Sequence, residues 1–420
     1  MRILCVNRQY FITGGPEKYW FALEKAIGDK HQLIPFVVDF ARNRESEYVR
    51  YFVKAPGGRA NIYYQDFQLS AVGKLKYLID SIYNVEAERK LLSLLKEVRP
   101  DVVLFLNAHY FSSSIIRACK KMSVPIVWRL SDFSLICPSY LLSRKGEPCE
   151  ECLERGLWRA MVRCCSGYQR SVIGAGVKVA ALGLGRSLGL YDYVRYYVAP
   201  SRFTRERMIR GGFPSEKVVH IPTFVAIPVE APASTGEPLR LLYAGRLSPE
   251  KGVETLFDAL HHLGSLDFVL LVAGDASSTY ATLLRERVPS KARERVVFLG
   301  QVDQPTLQRL YNESHAVVVP SICYENMPNV ALEAMAHGKP VIASSLGSLP
   351  EIIEHSVTGL LFKPGDAKDL ASTIMALVAD TDAMRTMGAR ARDYVAVRHN
   401  EAMHINALLN ILGSAAMHRT

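Results

Sequence analysis

The sequence lacks any run of about twenty uncharged apolar residues, the length that a bilayer-spanning helix needs, so no transmembrane segment is predicted. The first apolar run, Ile3–Val6, is too short for a secretion signal and is expected to be a buried strand. The longest other candidate, Ser171–Leu190, contains Lys178, Arg186 and five glycines, so we interpret it as a surface-lying or buried helix. Without an export signal, a cytoplasmic protein with reduced cysteines is expected.

The sequence also lacks the features of several other protein classes. It has no internal repeat, and its 28 glycines and 21 prolines are close to average numbers, so no low-complexity tract is expected. Lysine and arginine are spread along the chain without a nucleic-acid-binding motif, so nucleic acid is not an expected partner. The first strand leads into TGGPEK instead of a spaced GxGxxG, which argues against a dinucleotide-dependent oxidoreductase.

What remains is a basic chain of ordinary globular composition. Hydrophobic residues make up 49% and charged residues 22% of the 420 residues, a length that suits two domains better than one core. The net charge of +10 favours anionic partners, such as nucleotide phosphates or an anionic membrane surface.

Short apolar runs alternate with longer amphipathic stretches in both halves of the chain, which indicates βα units and parallel sheets. In the first half the predicted strands are Arg2–Val6, Leu33–Val38, Val102–Leu106, Ile126–Arg129 and Tyr196–Ala199, and the predicted helices are Glu17–Ile27, Glu86–Val98 and Ser113–Lys121. In the second half the predicted strands are Arg240–Ala244, Phe268–Ala273, Val296–Leu299, Ala316–Pro320, Val341–Ala343 and Gly359–Phe362, and the predicted helices are Val253–Leu263, Pro305–Asn312, Val330–His337, Leu349–Glu354 and Ala367–Val378.

This rhythm predicts two doubly wound, Rossmann-like α/β domains that face each other across a cleft. We place the first domain at residues 1–222, a proline-containing linker at 223–238 and the second domain at 239–398. A last helix within 399–420 is expected to return to the first domain. Ligands of open α/β sheets bind beyond the carboxyl ends of the strands, so functional residues should lie in strand-to-helix loops.

The loop after the first strand of the second domain, within LLYAGRLSPEKG, carries two cations. Arg246 offers a fork of donors to phosphate oxygens and Lys251 offers a compact charge, both beside the start of a helix, which itself attracts anions. The loop therefore predicts a phosphate site, although two solvated cations would have the same sequence.

The segment AVVVPSICYENMPNVALEAMAHG predicts a strand, a loop and a helix that carry two glutamates. Pro328 suits the first helical position, and Glu325 lies in the loop before it. The free N–H groups of Asn329 and Val330 are expected to point at a ligand phosphate. Glu333, one turn into the helix, is placed to accept hydrogen bonds from two vicinal hydroxyl groups, such as those of a ribose.

These motifs occur in the order GRLSPEKG, FLGQV, VVVPS, E-x7-E, GKPVIAS, PEII and TGLLFKPGD, which resembles the retaining glycosyltransferases of family 4, enzymes of the GT-B fold. The resemblance covers most of the second domain. It implies that a UDP- or GDP-sugar is the donor, with a hexose-type sugar. The residues implied at the donor are Arg246, Lys251, Asn329 and Val330 on the diphosphate, Glu333 on the ribose, and Glu325, Asn326 and Met327 at the sugar.

The first domain matches this family less closely. Gly14 and Gly15 resemble the glycine loop through which the family's backbone approaches the donor diphosphate. His109, after the strand DVVLFL, resembles the acceptor-side histidine, which implies a catalytic role beside Glu325. Asp132 is a candidate acceptor-binding group. A serine at the preceding position stands where relatives commonly carry histidine, so the acceptor, a glycan or a lipid-linked glycan, is not identified.

The resemblance also implies the type of reaction. Retention of anomeric configuration without an evident nucleophile predicts front-face substitution, in which the cations and the helix start stabilise the leaving diphosphate. No cofactor or catalytic metal is expected, and the Asp-Thr-Asp triplet Asp380–Asp382 is better explained as a helix cap. The implied role is assembly of surface polysaccharide or glycolipid. The alternative is a non-catalytic or regulatory nucleotide-sugar-binding protein on the same scaffold.

A cysteine-rich, amphipathic insert is predicted within residues 137–195. Five cysteines occur in about thirty residues, which predicts either a structural zinc site, as in a cysteine-containing subgroup of the family, or unlinked thiols; they are Cys137, Cys149, Cys152, Cys164 and Cys165. The stretch Trp158–Tyr197 is either a peripheral contact with the anionic cytoplasmic face of the inner membrane or a glycine-rich core segment.

Overall fold

A computed structural model of the chain describes residues 1–62, 67–162, 172–229 and 238–417, apart from the side chain of His109. Its strands are β1 (Arg2–Val6), β2 (Gln32–Phe36), β3 (Val38–Asp39), β4 (Val53–Lys54), β5 (Val102–Phe105), β6 (Ile126–Arg129), β7 (Ser143–Arg144), β8 (Glu147–Pro148), β9 (Tyr196–Ala199), β10 (Val218–His220), β11 (Leu239–Ala244), β12 (Phe268–Ala273), β13 (Val296–Gly300), β14 (Ala316–Val319), β15 (Val341–Ser344) and β16 (Gly359–Phe362).

The helices follow the strands in both halves of the chain. They are α1 (Gly15–Ile27), α2 (Ala71–Ile82), α3 (Val85–Val98), α4 (Ser114–Lys121), α5 (Glu151–Arg155), α6 (Arg159–Val162), α7 (Val172–Ser187), α8 (Arg202–Arg210), α9 (Val253–Ala259), α10 (Thr279–Arg287), α11 (Gln304–Glu313), α12 (Asn329–Ala336), α13 (Leu349–Ile352), α14 (Ala367–Val378), α15 (Thr381–Arg398) and α16 (Glu401–Met417). No helix among the described residues combines the length and the hydrophobicity that a transmembrane segment requires.

Two six-stranded sheets, whose paired strands are all parallel, form the centre of the molecule. The first has the order β10-β9-β6-β5-β1-β2, and the second has the order β13-β12-β11-β14-β15-β16. Their inner strands are buried on both faces, as the apolar runs predict, because helices cover each side, whereas the edge strand β13 exposes Val297 and Leu299. The predicted fold class, two Rossmann-like α/β domains of GT-B type, is confirmed.

The strand order fixes where each sheet can bind a ligand. In each sheet, later strands are added on both sides of the first strand. β2 lies on one side of β1 and β5 on the other, and β12 lies on one side of β11 and β14 on the other. A crevice therefore opens between β1 and β5, and another between β11 and β14. The loops that follow these four strands contain the predicted glycine loop, His109, the two cations and the glutamate segment. The topology therefore brings candidate functional residues that are far apart in the sequence to the edges of the two crevices.

The C-terminal helix α16 packs on the first sheet, since Ile405, Leu408 and Leu412 belong to the same apolar cluster as Ile3 and Trp20. Its His404 Nε2 lies 2.8 Å from the Tyr19 hydroxyl oxygen. The predicted linker lies partly outside the described residues, at positions 230–237. The domain boundaries at 222, 238 and 398 therefore stay a prediction.

Side chains join the two sheets' domains at the cleft. Asn326 donates from Nδ2 to the backbone oxygen of Leu130 at 2.9 Å, and Glu351 accepts from the backbone N–H of Arg202 at 2.8 Å. These contacts connect the loop after β14 and helix α13 to the first domain.

Several local predictions differ from the structure. The predicted strand Leu33–Val38 is split between β2 and β3, and the longer helices α2, α8, α10 and α15 were not predicted. The acidic triplet behaves as expected, since Oδ1 of Asp380 accepts from the backbone N–H groups of Asp382 and Ala383 and caps α15.

Candidate active site

The glycine loop lies between β1 and the start of α1 and is held by a buried glutamate. Glu17 is 2% exposed, and its Oε2 accepts from the backbone N–H of Gly14 at 3.0 Å. A Cβ atom on Gly15 would lie 3.2 Å from Nδ2 of Asn329, at the start of α12 in the other domain. The absence of a side chain at Gly15 thus lets two helix N-termini come close across the cleft, where both attract anions.

The loop after β11 brings its lysine against the loop after β14. Gly252 has a φ of 65°, and a Cβ atom there would lie 1.9 Å from the backbone oxygen of Pro320, so a glycine is needed for this approach. Lys251 Nζ lies 2.6 Å from Glu325 Oε1, with side-chain exposures of 24% and 13%. Lys251 is therefore paired with a carboxylate, not simply available to a phosphate.

Arg246 occupies a more open position in the same loop. Its side chain is 61% exposed, and its guanidinium lies 3.4 Å from the buried Glu250. The backbone oxygen of Arg246 accepts from the Tyr243 hydroxyl at 2.6 Å, which fixes the loop while the side chain extends towards solvent. This geometry suits a cation that closes on a phosphate when a ligand enters.

Glu325 is an ionised carboxylate held by three neighbours. Its Oε1 accepts from the Ser321 hydroxyl at 2.6 Å and from Lys251. Burial by itself would raise the pKa of Glu325, but Lys251, Ser321 and Arg246 together hold the pKa below its ordinary value. Burial would likewise lower the pKa of Lys251, and the Glu325 carboxylate outweighs it and raises the pKa.

Helix α12 begins at Asn329. Pro328 is therefore the N-cap of the helix and not its first helical residue, as was predicted. The backbone N–H groups of Asn329 and Val330 lie in the first turn, where a helix offers them no internal acceptor. Because α12 follows β14, these N–H groups lie beyond the end of that strand, beside the crevice between β11 and β14. Their contact with a ligand phosphate stays a prediction.

Glu333 lies one turn further and joins both domains. Its Oε1 accepts from Lys18 of α1 at 3.2 Å, and its Oε2 accepts from the Tyr311 hydroxyl at 3.0 Å. The Glu333 side chain is only 14% exposed, so it is not a solvated surface group. Lys18, which the sequence pattern did not single out, neutralises this carboxylate across the cleft.

The two residues predicted beside the donor sugar are engaged in packing. The Asn326 Oδ1 accepts from the Thr204 hydroxyl, and its Nδ2 donates to Leu130, so both ends of the amide contact the first domain. Met327 is partly buried against the apolar cluster of the second domain. A sugar hydroxyl could bind Asn326 only through the remaining N–H or lone pair of this amide, or by replacing one of these bonds.

The acceptor side lies at the ends of β5 and β6. His109 begins a short 3-10 helix, His109–Phe111, and its side chain lies outside the described part of the structure. Asp132 Oδ1 accepts from the backbone N–H of Ser134 at 2.8 Å. The hydroxyl of Ser131 donates to the backbone oxygen of Leu106 at 2.7 Å and so supports the loop.

A lysine that the sequence did not identify faces Asp132 from helix α7. Burial lowers the pKa of Lys178, the Asp132 carboxylate partly opposes this effect, and the nearby Arg8 adds to it. Lys178 and Asp132 therefore interact electrostatically at the acceptor end of the cleft.

The cysteines of the insert are thiols in the described residues. Cys137 is buried with its Sγ 3.1 Å from the Ser139 hydroxyl oxygen, and Cys149 and Cys152 are partly exposed. Cys164 and Cys165 lie outside the described residues. Within 1–62, 67–162, 172–229 and 238–417, no group of three or more potential ligands is arranged for a metal ion. A structural zinc with ligands from among the five cysteines stays a prediction.

The insert has a contact that its cysteine content did not reveal. Glu150, next to Cys149, lies 2.6 Å from the guanidinium of Arg207 and 2.6 Å from that of Arg210. Burial and a hydrogen bond to Glu150 raise the pKa of Tyr324, the residue before Glu325. The insert thus reaches across the cleft to the loop that carries the candidate catalytic carboxylate.

We expect Glu150→Ala to lower kcat by about tenfold, because the loop that carries Tyr324 and Glu325 loses its support. Nucleotide affinity should stay nearly unchanged, because the residues proposed to bind the phosphates keep their positions. Steady-state kinetics with calorimetric nucleotide binding would measure the two effects. The matched control is Glu154→Ala in the same insert, since Glu154 is 56% exposed and 3.7 Å from Arg210. Equal kinetics of the two variants would show that Glu150 does not support the loop.

Comparisons with known proteins agree with this geometry. Residues 238–380 match the family described as Glycosyl transferases group 1. An uncharacterised glycosyltransferase of Methanocaldococcus jannaschii is 37% identical over 143 residues, 33% of this chain and 36% of that protein. The amylovoran biosynthesis glycosyltransferase AmsK of Erwinia amylovora is 27% identical over 225 residues, 50% of this chain and 54% of that protein.

The matched region spans between about a third and about half of the length of these relatives. Over the whole chain, the fold is similar to that of HepE of Anabaena, solved in complex with UDP and glucose, with a TM-score of 0.69 and 20% identity over 99% of this chain and 100% of that chain. The resemblance is thus confirmed for the second domain: residues 238–380 match a glycosyl transferases group 1 domain, within a chain of GT-B fold.

Proposed function

We propose that the protein is a retaining glycosyltransferase that transfers a hexose-type sugar from a UDP- or GDP-sugar. The observation that carries this proposal is the convergence of two helix N-termini, Arg246, Lys251 and two carboxylates on one cleft. A nucleoside diphosphate sugar needs this combination: cationic and N–H groups for the diphosphate, and carboxylates for the hydroxyl groups of the ribose and the sugar.

The positive groups stabilise the leaving diphosphate in the proposed reaction. As the bond between the anomeric carbon and the phosphate oxygen breaks, negative charge develops on the diphosphate. Arg246, Lys251 and the first N–H groups of α12 surround the place where that charge appears. We infer that these groups supply the electrostatic stabilisation, so the step requires no catalytic metal.

A front-face route suits the chemistry of Glu325 better than a covalent route. A nucleophilic carboxylate must approach the anomeric carbon directly, whereas Glu325 Oε1 is shared between Lys251 and Ser321. We propose that Glu325 orients the sugar hydroxyl groups. The acceptor hydroxyl then attacks from the face that the diphosphate leaves, and a diphosphate oxygen takes the acceptor proton.

The acceptor is proposed to be a glycan or a lipid-linked glycan that enters beside His109 and Asp132. Because AmsK is named for amylovoran biosynthesis, a role in surface polysaccharide or glycolipid assembly is a reasonable extension to this chain. We place the protein in the cytoplasm, with peripheral contact to the inner face of an anionic membrane.

A thermal-shift screen with UDP-, GDP- and ADP-sugars tests the donor half of this proposal. We expect one nucleotide class to raise Tm by several degrees at about 100 times its Kd, because a ligand of the native state adds about 2.7 kcal/mol to the free energy of unfolding under that condition. Nucleotide release is then measured with the stabilising donors. Stabilisation without turnover of any donor would support the non-catalytic alternative, and no stabilisation by any nucleotide would contradict both functions.

A further inference from the structure

Helix α2 is amphipathic, yet none of its side chains is buried. Val72, Leu75 and Ile79 lie on one face at positions i, i+3 and i+7, and they are 78%, 59% and 55% exposed. An apolar stripe of this kind is normally the face that a helix buries. Within the described structure, no element covers the stripe of α2.

The helices packed next to α2 also expose large apolar side chains. α2 packs against α7, and α7 packs against α6. These helices and the turn before α6 expose further large apolar side chains, namely Trp158, Met161, Val162, Val172 and Ile173. We call these five side chains and the three of α2 the apolar surface. It holds eight of the twenty exposed large apolar side chains found in the described residues, although α2, α6 and α7 form a small part of the chain.

The net positive charge of the chain is concentrated in residues 1–222, the part of the chain that carries the apolar surface. Residues 1–222 contain 34 Lys and Arg against 20 Asp and Glu, whereas residues 223–420 contain 17 against 21. Lys74 and Lys76 flank the stripe of α2, and its one carboxylate, Asp80, is paired with Lys76. A second copy of the chain would meet the surface with the same strong positive charge, which disfavours self-association there.

The apolar surface also adjoins the acceptor end of the cleft. α2 contacts the 3-10 helix His109–Phe111, and α7 carries Lys178, which faces Asp132. A partner bound on the outer face of these helices would therefore lie next to the opening through which an acceptor enters.

We propose that the apolar surface binds an anionic lipid bilayer and holds the acceptor end of the cleft at the membrane. An exposed apolar stripe on a helix that also carries lysines, with an exposed tryptophan on the same domain, has the composition of helices that lie in the interfacial region of a bilayer. Apolar side chains enter the boundary of the acyl chains, and the basic domain is attracted to anionic headgroups. The membrane contact itself is argued from exposure and charge. The inference rests on the proposed function only where it takes the acceptor to be lipid-linked.

Vesicle co-sedimentation with the full chain tests the proposal. We expect binding to vesicles of phosphatidylcholine with 30% phosphatidylglycerol, weaker binding to phosphatidylcholine alone, and weakening by salt, since surface electrostatics are screened. The triple variant Val72→Gln, Leu75→Gln, Ile79→Gln should bind the anionic vesicles at least tenfold more weakly. The control Val397→Gln, Met403→Gln removes side chains that are 67% and 64% exposed elsewhere and should bind normally.

Failure of this inference is distinguishable from failure of the proposed function. The triple variant should keep the stabilisation by nucleotide, which is measured without vesicles and also verifies folding. Equal vesicle binding by the triple variant and the parent chain, or no binding to anionic vesicles by the parent chain, would overturn the inference. A dimeric parent chain that the triple variant converts to a monomer would also overturn it, in favour of a second copy as the occupant.

Discussion

Glu325→Ala is expected to lower kcat for sugar transfer by about 100- to 1,000-fold, the size of effect found when one preorganised polar group of an active site is removed. The variant loses the carboxylate that we place at the sugar hydroxyl groups. It also leaves the ammonium of Lys251 without its partner 2.6 Å away, so the charge facing the leaving diphosphate is no longer held in position. Steady-state kinetics at saturating donor measure the effect, and KM should change far less than kcat.

Glu325→Gln is the informative companion variant. It keeps the size of the side chain and an oxygen that can accept from Ser321, but it removes the negative charge. An intermediate loss of kcat would assign part of the effect to the Glu325–Lys251 ion pair. A kcat of Glu325→Ala within threefold of the parent value would contradict the role proposed for this residue.

Glu333→Ala is expected to raise KM for the donor by about tenfold to a hundredfold with little change in kcat, because hydrogen bonds to a charged group contribute about 1.5–3 kcal/mol each. The carboxylate that we assign to the ribose is lost in both the ground state and the transition state, so binding weakens uniformly. Initial rates over a range of donor concentrations, together with nucleotide Kd values, measure the effect.

Two further variants separate ribose binding from local packing. Tyr311→Phe removes the hydroxyl that donates to Glu333 at 3.0 Å but leaves the carboxylate, so it should raise KM only slightly. Glu313→Ala removes a carboxylate that is 44% exposed on the nearby helix α11 and should have no effect. If Glu333→Ala lowered kcat and Glu325→Ala raised KM, the two roles would be exchanged.

The alternation of apolar and amphipathic segments was sufficient to predict the fold because both sheets bury their strands on both faces. Helices with a face on the core were predicted nearly to the residue, as for α14. Helix α2 was missed although it is amphipathic, and its apolar face has no partner within the described residues. Helix α15 was missed although its buried residues lie on one face, because two of them, Gly388 and Ala391, are small and charged residues interrupt the apolar pattern. Periodicity identifies best the helices whose core face is large and apolar.

The motif pattern predicted which loops carry chemistry but not how their side chains pair. Lys18 and Glu333 are 315 positions apart in the sequence, and only the facing of α1 and α12 brings them within 3.2 Å. Lys251 and Glu325 meet because β11 and β14 are neighbours in the sheet although two strands separate them in sequence. Such pairs depend on strand order, which local sequence does not encode.

The acceptor side was the least predictable part of the molecule. Its candidate groups come from separate elements, with Asp132 after β6 and Lys178 on α7, and no fixed spacing links them. The insert was interpreted through its cysteines, whereas its described contact with the donor loop is made by Glu150. A charged residue in a cysteine-rich segment gives no sequence signal of a contact in another domain.

The central claim, that the cleft binds a nucleoside diphosphate between two helix N-termini and the two cations, is tested most directly by calorimetry. UDP and UMP, or GDP and GMP if guanine nucleotides stabilise the protein more, are titrated into the parent chain and Arg246→Ala. We predict that the diphosphate binds the parent chain at least about tenfold more tightly than the monophosphate, and that Arg246→Ala reduces this preference. Equal affinity of the parent chain for the diphosphate and the monophosphate would contradict the account.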